Sequence, residues 1–189
     1  MRIITGSARG VRLETLAGEA TRPTSERAKE AIFSMLGLGF EGRRILDLFA
    51  GSGQMGLEAL SRGAQSATLV DASRAALEVV CRNAQRAKLS ERVKTVCSDA
   101  LAYLKSSAEQ PFHLVFLDPP YHASLLPESL RLLKEKRLLA PGAVIVCESA
   151  AHEDVFGDDE RLASCFRVLK RTRYGIAHIT VLCTEEESE

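Results

Sequence analysis

The stretch Asp47-Leu48-Phe49-Ala50-Gly51-Ser52-Gly53-Gln54-Met55-Gly56 joins the apolar run Arg44 to Phe49 to a helix-forming segment. Glycine lets backbone approach a ligand with no Cβ in the way, and the helix start that follows offers unpaired N–H groups. The turn is therefore predicted to hold a cofactor. Short β-type runs alternate with helical patterns through the rest of the chain, which is the signature of an α/β fold with a mostly parallel sheet.

Successive strands are predicted at Arg44 to Phe49, Ser66 to Val70, Val93 to Val96, His113 to Leu117 and Ala143 to Cys147, with helices near Met55 to Arg62, Arg74 to Lys88, Ala100 to Ser106 and Ser124 to Glu135. Phe166 to Arg171 and Ile176 to Cys183 lie too close together for a parallel crossover, which takes roughly a dozen connecting residues, so they are expected to form an antiparallel hairpin around Tyr174-Gly175. Ahead of this core, Thr24-Ser25-Glu26-Arg27 can cap a helix running to Leu36, with Ala28, Ala31, Ile32 and Met35 on one face.

A chain of 189 residues, 46% of them apolar, fits one compact domain. The start, Met1-Arg2-Ile3-Ile4-Thr5-Gly6, has no signal-peptide core, and no stretch nears the roughly 18 apolar residues of a membrane span, so a cytoplasmic protein is expected. The five cysteines, Cys81, Cys97, Cys147, Cys165 and Cys183, are widely spaced without a C-x-x-C pair and read as reduced core thiols. His113, His122, His152 and His178 are equally dispersed, so no metal is expected.

Formal net charge is zero, which argues against indiscriminate coating of nucleic acid. The distribution is uneven. Arg161, Arg167, Lys170, Arg171 and Arg173 occur without an intervening acid, the tail Glu185-Glu186-Glu187-Ser188-Glu189 is acidic, and the first forty residues add Arg2, Arg9, Arg12, Arg22, Arg27 and Lys29 against Glu14, Glu19, Glu26 and Glu30. Each charge alone reads as solvated surface; two basic clusters together point to a polyanion.

Asp118-Pro119-Pro120-Tyr121 follows the apolar run Leu114 to Leu117 directly. The prolines stiffen the turn and leave carbonyls free to accept, Asp118 adds a further acceptor, and Tyr121 offers a stacking face. That set suits a flat substrate bearing an amine. Gly51-x-Gly53-x-x-Gly56 taken alone also matches a dinucleotide turn, with Asp71 near the ribose-binding offset. However, Asp47 would repel a pyrophosphate and can accept from an ammonium, and another acid, Asp99, follows the third strand. The charge pattern fits a cationic adenosine ligand such as S-adenosylmethionine.

The order D-x-F-x-G-x-G, acid, acid, D-P-P-Y resembles the class I methyltransferases that act on an exocyclic amino nitrogen. More narrowly, Arg2-Ile3-Ile4-Thr5-Gly6, Arg22-Pro23-Thr24, Asp47 to Gly53, Gly56-Leu57-Glu58-Ala59-Leu60-Ser61-Arg62-Gly63-Ala64 and Phe116 to Tyr121 resemble the bacterial 16S rRNA guanine-966 N2 methyltransferases, over a span from the first residues to about Glu148. The resemblance implies a Rossmann-like seven-stranded sheet, mostly parallel with an antiparallel C-terminal strand and helices on both faces. It implies S-adenosylmethionine contacts at Arg22, Thr24, Asp47, Phe49, Ala50, Gly51, Ser52, Gly53, Asp71, Asp99, Ala100 and Asp118, and a catalytic set of Asp118, Pro119, Pro120 and Tyr121. Within the first set, Asp47 would hold the ammonium, Asp71 the ribose diol and Asp99 the adenine amine. Glu58 and Arg62 read as a buried structural pair.

RNA contacts are expected from Arg2, Arg9, Arg12, Arg167, Lys170, Arg171 and Arg173. The implied partner is 16S rRNA, within an assembled or partly assembled small ribosomal subunit. By this reading residues 1–40 form an RNA- and cofactor-contacting arm with its helix, 41–184 the methyltransferase domain and 185–189 an acidic tail. DNA adenine-N6 and cytosine-N4 methyltransferases share D-P-P-Y but commonly carry a separate target-recognition region, for which this chain has little room. Protein-glutamine methyltransferases usually have Asn in place of Asp118. A NAD-dependent oxidoreductase should lack D-P-P-Y, and an inactive nucleic-acid-binding module should have lost Asp118 or the glycines.

Overall fold

The structure, a computed structural model, describes residues 1–16, 26–37, 39–120, 125–150 and 154–184. Its strands form one seven-stranded sheet in the order β3-β2-β1-β4-β5-β7-β6. The strands are β1 (Arg44–Asp47), β2 (Ser66–Asp71), β3 (Val93–Cys97), β4 (Phe112–Leu117), β5 (Leu139–Ser149), β6 (Phe166–Tyr174) and β7 (Ala177–Thr184). The helices are α1 (Glu26–Leu36), α2 (Gln54–Ser61), α3 (Arg74–Arg86), α4 (Ala100–Ser106), α5 (Leu126–Glu135) and α6 (Glu160–Ala163). The chain divides into two compact units, Met1–Cys97 and Ser98–Glu189.

In the first unit β1 pairs with β2 and β2 with β3, all parallel. Residues 67–70 of β2 are buried one after another; because successive side chains alternate faces, both faces of the strand are covered. Residues 1–13 are also ordered by the backbone: Ile3 N–H donates to Val11 O at 3.0 Å, Gly10 N–H to Ile3 O at 2.8 Å and Leu13 N–H to Met1 O at 3.0 Å. The resulting loop buries Ile3, Ala8 and Leu13 and leaves Arg2, Arg9 and Arg12 exposed.

A buried charge cluster seats this loop on α2. Glu58, fully buried, accepts from Ile4 N–H at 2.8 Å and Thr5 N–H at 3.0 Å, and it pairs with Lys29 at 3.3 Å and Arg62 at 3.0 Å. Lys29 Nζ donates in turn to Arg2 O at 2.6 Å. A buried carboxylate is tolerable only when its lone pairs are taken up by partners, as here. Desolvation pulls the Lys29 ammonium below its ordinary pKa, and Glu58 opposes that shift. Lys29 is thus an internal structural cation, a correction to its reading as part of a solvated basic arm. The buried face of α1 is likewise Ala28, Lys29, Ile32 and Phe33, with Ala31 and Met35 only half-buried. Phe33 sets that orientation, packing on Phe40 and lying 4.5 Å beneath the Arg62 guanidinium.

In the second unit β4 runs parallel to β5, β5 antiparallel to β7, and β7 antiparallel to β6. The hairpin predicted around Tyr174-Gly175 forms with Gly175 and Ile176 as its two loop residues, Gly175 taking φ +65°. β5 reaches back to Leu139, beyond the predicted start at Ala143, because the register shift between Phe112 and Leu114 sets one residue of β4 against residues 140–143, Pro141-Gly142 among them. The predicted cap residues Thr24 and Ser25, and Ser124 at the start of a predicted helix, lie outside the described residues. Among the described residues all five cysteines are free, but only Cys147 is a core thiol, its pKa pushed up by burial. Cys81 and Cys97 are exposed, since one sits on the outer face of α3 and the other ends the edge strand β3.

Candidate active site

The first unit carries the glycine turn. β1 delivers Asp47 into the core, 3% exposed, where Oδ2 accepts Gly56 N–H at 3.1 Å and so ties the strand end to the first turn of α2. Gly51 and Gly53 take φ +50° and +79°, in the left-handed region that glycine enters freely. A Cβ at Gly53 would come within 3.0 Å of Leu69 and 3.2 Å of Val80, so β2 and α3 close the inner side of the turn. A Cβ at Gly51 would meet nothing within 4 Å, so the outer side of the turn is open to a ligand.

Asp71, at the end of β2, uses both carboxylate oxygens on backbone: Oδ2 accepts Gly51 N–H at 2.8 Å and Oδ1 accepts Ser73 N–H at 2.8 Å. Burial raises the Asp47 carboxyl to about 7, and the nearby Asp71 carboxylate adds to that shift against the Gly56 hydrogen bond. A buried acid that ionises so reluctantly gains from a cation at hand. The residues therefore fit S-adenosylmethionine: Asp47 for its ammonium, the open face at Gly51 for close backbone approach, and the remaining lone pairs of Asp71 for ribose hydroxyls.

In the second unit, Asp99 is the N-cap of α4, with Oδ1 accepting Ala102 N–H at 2.9 Å. The cap fixes the carboxylate and uses one oxygen. β4 ends at Leu117, and Asp118 and Pro120 stand exposed while Pro119 is buried. A buried proline under an exposed acid gives Asp118 a stiff mount. Tyr121, Arg22 and Thr24 lie outside the described residues.

The basic residues of the hairpin do not form one stripe. Arg167 faces Cys183 and Lys170 faces Val181, whereas Arg171 faces Thr180 and Arg173 faces His178. Opposed residues share a face and β7 alternates faces, so Arg167 and Lys170 point one way and Arg171 and Arg173 the other. The cause is the register shift between Val168 and Lys170, which leaves Leu169 as the extra residue. On the N-terminal loop, Arg2 and Arg12 pair across an antiparallel bridge.

Sequence reasoning missed Asn83, fully buried on α3. The signal was present: Ala76, Leu77, Val80 and Ala84 form the buried stripe of that helix, and Asn83 falls within it. A carboxamide in such a stripe must find partners inside the protein.

A seven-stranded sheet in this order, turned antiparallel only at β7, with a glycine turn after its first strand, is the class I methyltransferase fold, and S-adenosylmethionine is the cofactor of that class. The chain belongs to the family described as Conserved hypothetical protein 95, whose model matches residues 1–183. This agrees with the family resemblance carried by the sequence motifs. A relative from Haemophilus influenzae named Ribosomal RNA small subunit methyltransferase D is 39% identical over 79% of this chain and 78% of its own length. The Escherichia coli (strain K12) protein of the same name is 38% identical over 79% of this chain and 74% of its own. Among solved structures, the Escherichia coli protein yhhF superposes with a TM-score of 0.83 at 32% identity, covering 99% of both chains. No helix among the described residues is long and apolar enough to cross a membrane, and none of their His, Cys, Asp and Glu side chains cluster as a metal site.

Proposed function

We propose that this protein methylates 16S rRNA of the small ribosomal subunit, transferring the methyl group of S-adenosylmethionine to the exocyclic N2 amine of one guanine. The observation that carries the reading is Asp118 held exposed on buried Pro119 at the end of β4, in a chain that shares its family and its length with rRNA methyltransferases. When bound, the cofactor supplies a methyl group on a sulfonium leaving group, so little acid-base machinery is required of the protein.

The protein's task is to position the amine. The lone pair of the guanine amine is delocalised into the ring, and acceptors on its N–H bonds favour a pyramidal nitrogen whose lone pair can form the new N–C bond as the C–S bond breaks. Asp118 and the Pro119 carbonyl are those acceptors. Asp118, or water, receives the proton that the methylated nitrogen sheds. Tyr121 stacks on the base, which must be unpaired or flipped out to reach it.

Asp47, Gly51 to Gly53, Asp71 and Asp99 hold the cofactor. Arg2, Arg9 and Arg12 contact phosphates. Arg2 and Arg12 support that role, because both are exposed and directly opposed across a bridge, so that one phosphate can meet both, with Arg2 also paired to Glu26 at 3.5 Å. Of the hairpin residues, one pair, either Arg167 with Lys170 or Arg171 with Arg173, is expected to face RNA. The reading is tested by offering labelled S-adenosylmethionine with undermethylated small subunits, protein-free 16S rRNA, DNA and protein in parallel. Label on one guanine of 16S rRNA is expected; label only in DNA or protein overturns the reading.

A further inference from the structure

Asn83 is 0% exposed, yet no step above uses it. Its Oδ1 accepts Glu14 N–H at 2.8 Å, while Nδ2 donates to Glu14 O at 3.0 Å and to Ser52 O at 2.9 Å. The chemistry fixes the orientation of the carboxamide: a rotated amide would set oxygen against two carbonyls and nitrogen against an N–H. One side chain therefore binds the backbone of Glu14 as a β-strand neighbour would and also holds a carbonyl of the glycine turn. Glu14 continues the loop that carries Arg2, Arg9 and Arg12, and Leu13 within it is pinned to Met1. The Glu14 side chain is held separately, by Arg82 at 2.9 Å and by Arg86.

We propose that Asn83 is a positioning residue for methyl-donor binding and the link through which occupancy of the glycine turn steadies the N-terminal loop. Losing the Nδ2 donor frees the Ser52 carbonyl, so the turn must be ordered by the ligand itself and affinity falls. By thermodynamic reciprocity, a ligand that orders Ser52 also orders Glu14 and the loop attached to it. The inference rests on the reading of the turn as the S-adenosylmethionine site. It does not depend on which nucleotide is methylated.

The test is calorimetric binding of S-adenosylhomocysteine to the full chain and to Asn83→Ala, Asn83→Asp and Glu14→Ala, with hydrogen exchange of the Ile3, Gly10 and Leu13 amides measured with and without ligand. For Asn83→Ala, affinity is expected to fall by about tenfold, the size of an unmade hydrogen bond to a buried group. The ligand-induced slowing of exchange at Ile3, Gly10 and Leu13 should also disappear. Asn83→Asp keeps the shape and the acceptor for Glu14 but sets a carboxylate against two carbonyls, and serves if the alanine variant fails to fold. Glu14→Ala keeps the backbone partners, and its affinity should stay within about twofold. In steady state the Asn83 variants should raise KM for S-adenosylmethionine with kcat nearly unchanged. Affinity within twofold of wild type in a folded Asn83 variant, or loop protection that persists, overturns the proposal. Failure of the wild-type protein to bind S-adenosylhomocysteine would instead defeat the reading of the turn.

Discussion

Asp71 Oδ2 accepts the Gly51 N–H at 2.8 Å, so the acid at the end of β2 is clamped to the glycine turn that follows β1. Its other oxygen is engaged by Ser73 N–H. Asp71 is consequently a part of the turn as well as a candidate ribose ligand.

Asp71→Asn exchanges one acceptor for a donor that faces a backbone N–H. Calorimetry should show S-adenosylhomocysteine affinity lowered at least about tenfold, and urea unfolding a stability loss of about 1 to 2 kcal/mol. An affinity within twofold of wild type would remove Asp71 from the site.

Gly6 has φ +87°, and a Cβ there would lie 1.8 Å from Ser61 O. Backbone occupies that space, since Ser7 N–H donates to Ser61 O at 2.8 Å and Ser61 Oγ donates to Thr5 O at 2.6 Å. Gly6→Ala is expected to cost about 3 kcal/mol or more, or to detach the loop from α2. Unchanged denaturant midpoints would refute the seating described.

Asp47 makes stability depend on pH with a predictable sign. Below its ordinary value of 3.8 the carboxyl is neutral whether the chain is folded or not; between there and about 7 the unfolded chain ionises while the folded one resists. The folded state binds the proton more tightly, so this group's contribution favours folding at low pH, declines as pH rises and levels off above about 7. Asp47→Asn removes the dependence, so in the unliganded state its stability relative to the wild-type protein should be higher at pH 8 than at pH 5 by on the order of 2 kcal/mol, while cofactor binding at pH 8 weakens. Parallel stability profiles for the two proteins across that range would contradict this.

Arg12→Ala removes the guanidinium opposite Arg2 and leaves the backbone bridge between the two positions in place. Binding to small-subunit rRNA should weaken and the slope of log affinity against log salt should drop by roughly 1, with S-adenosylhomocysteine affinity unaffected. An unchanged slope would take Arg12 out of the RNA contact.

The β-α alternation and the glycine turn were legible because each is local: a periodicity, or residues adjacent along the chain. The strand ends that carry Asp47, Asp71 and Asp118 could be placed to within a residue or two. What could not be read were contacts between distant segments. Lys29 looks like any surface lysine until α2 brings Glu58 to it across 29 residues, and Gly6 looks like an ordinary loop glycine until Ser61 fills the space beside it. The two sequence motifs around Gly6 and Glu58 are in fact two halves of one interface. The split of the hairpin cations was hidden for another reason: a single extra residue, Leu169, reverses the facing of everything after it.

The most direct test of the account is made at Asp118. Small subunits lacking the modification are incubated with isotope-labelled S-adenosylmethionine and either wild-type protein or Asp118→Ala, and the 16S rRNA nucleosides are mapped by mass spectrometry. The account predicts labelled N2-methylguanosine at one position with wild type and none with Asp118→Ala, although that variant still binds S-adenosylhomocysteine nearly as tightly. Near-normal turnover by Asp118→Ala, or label on an adenine or cytosine amine, would contradict it.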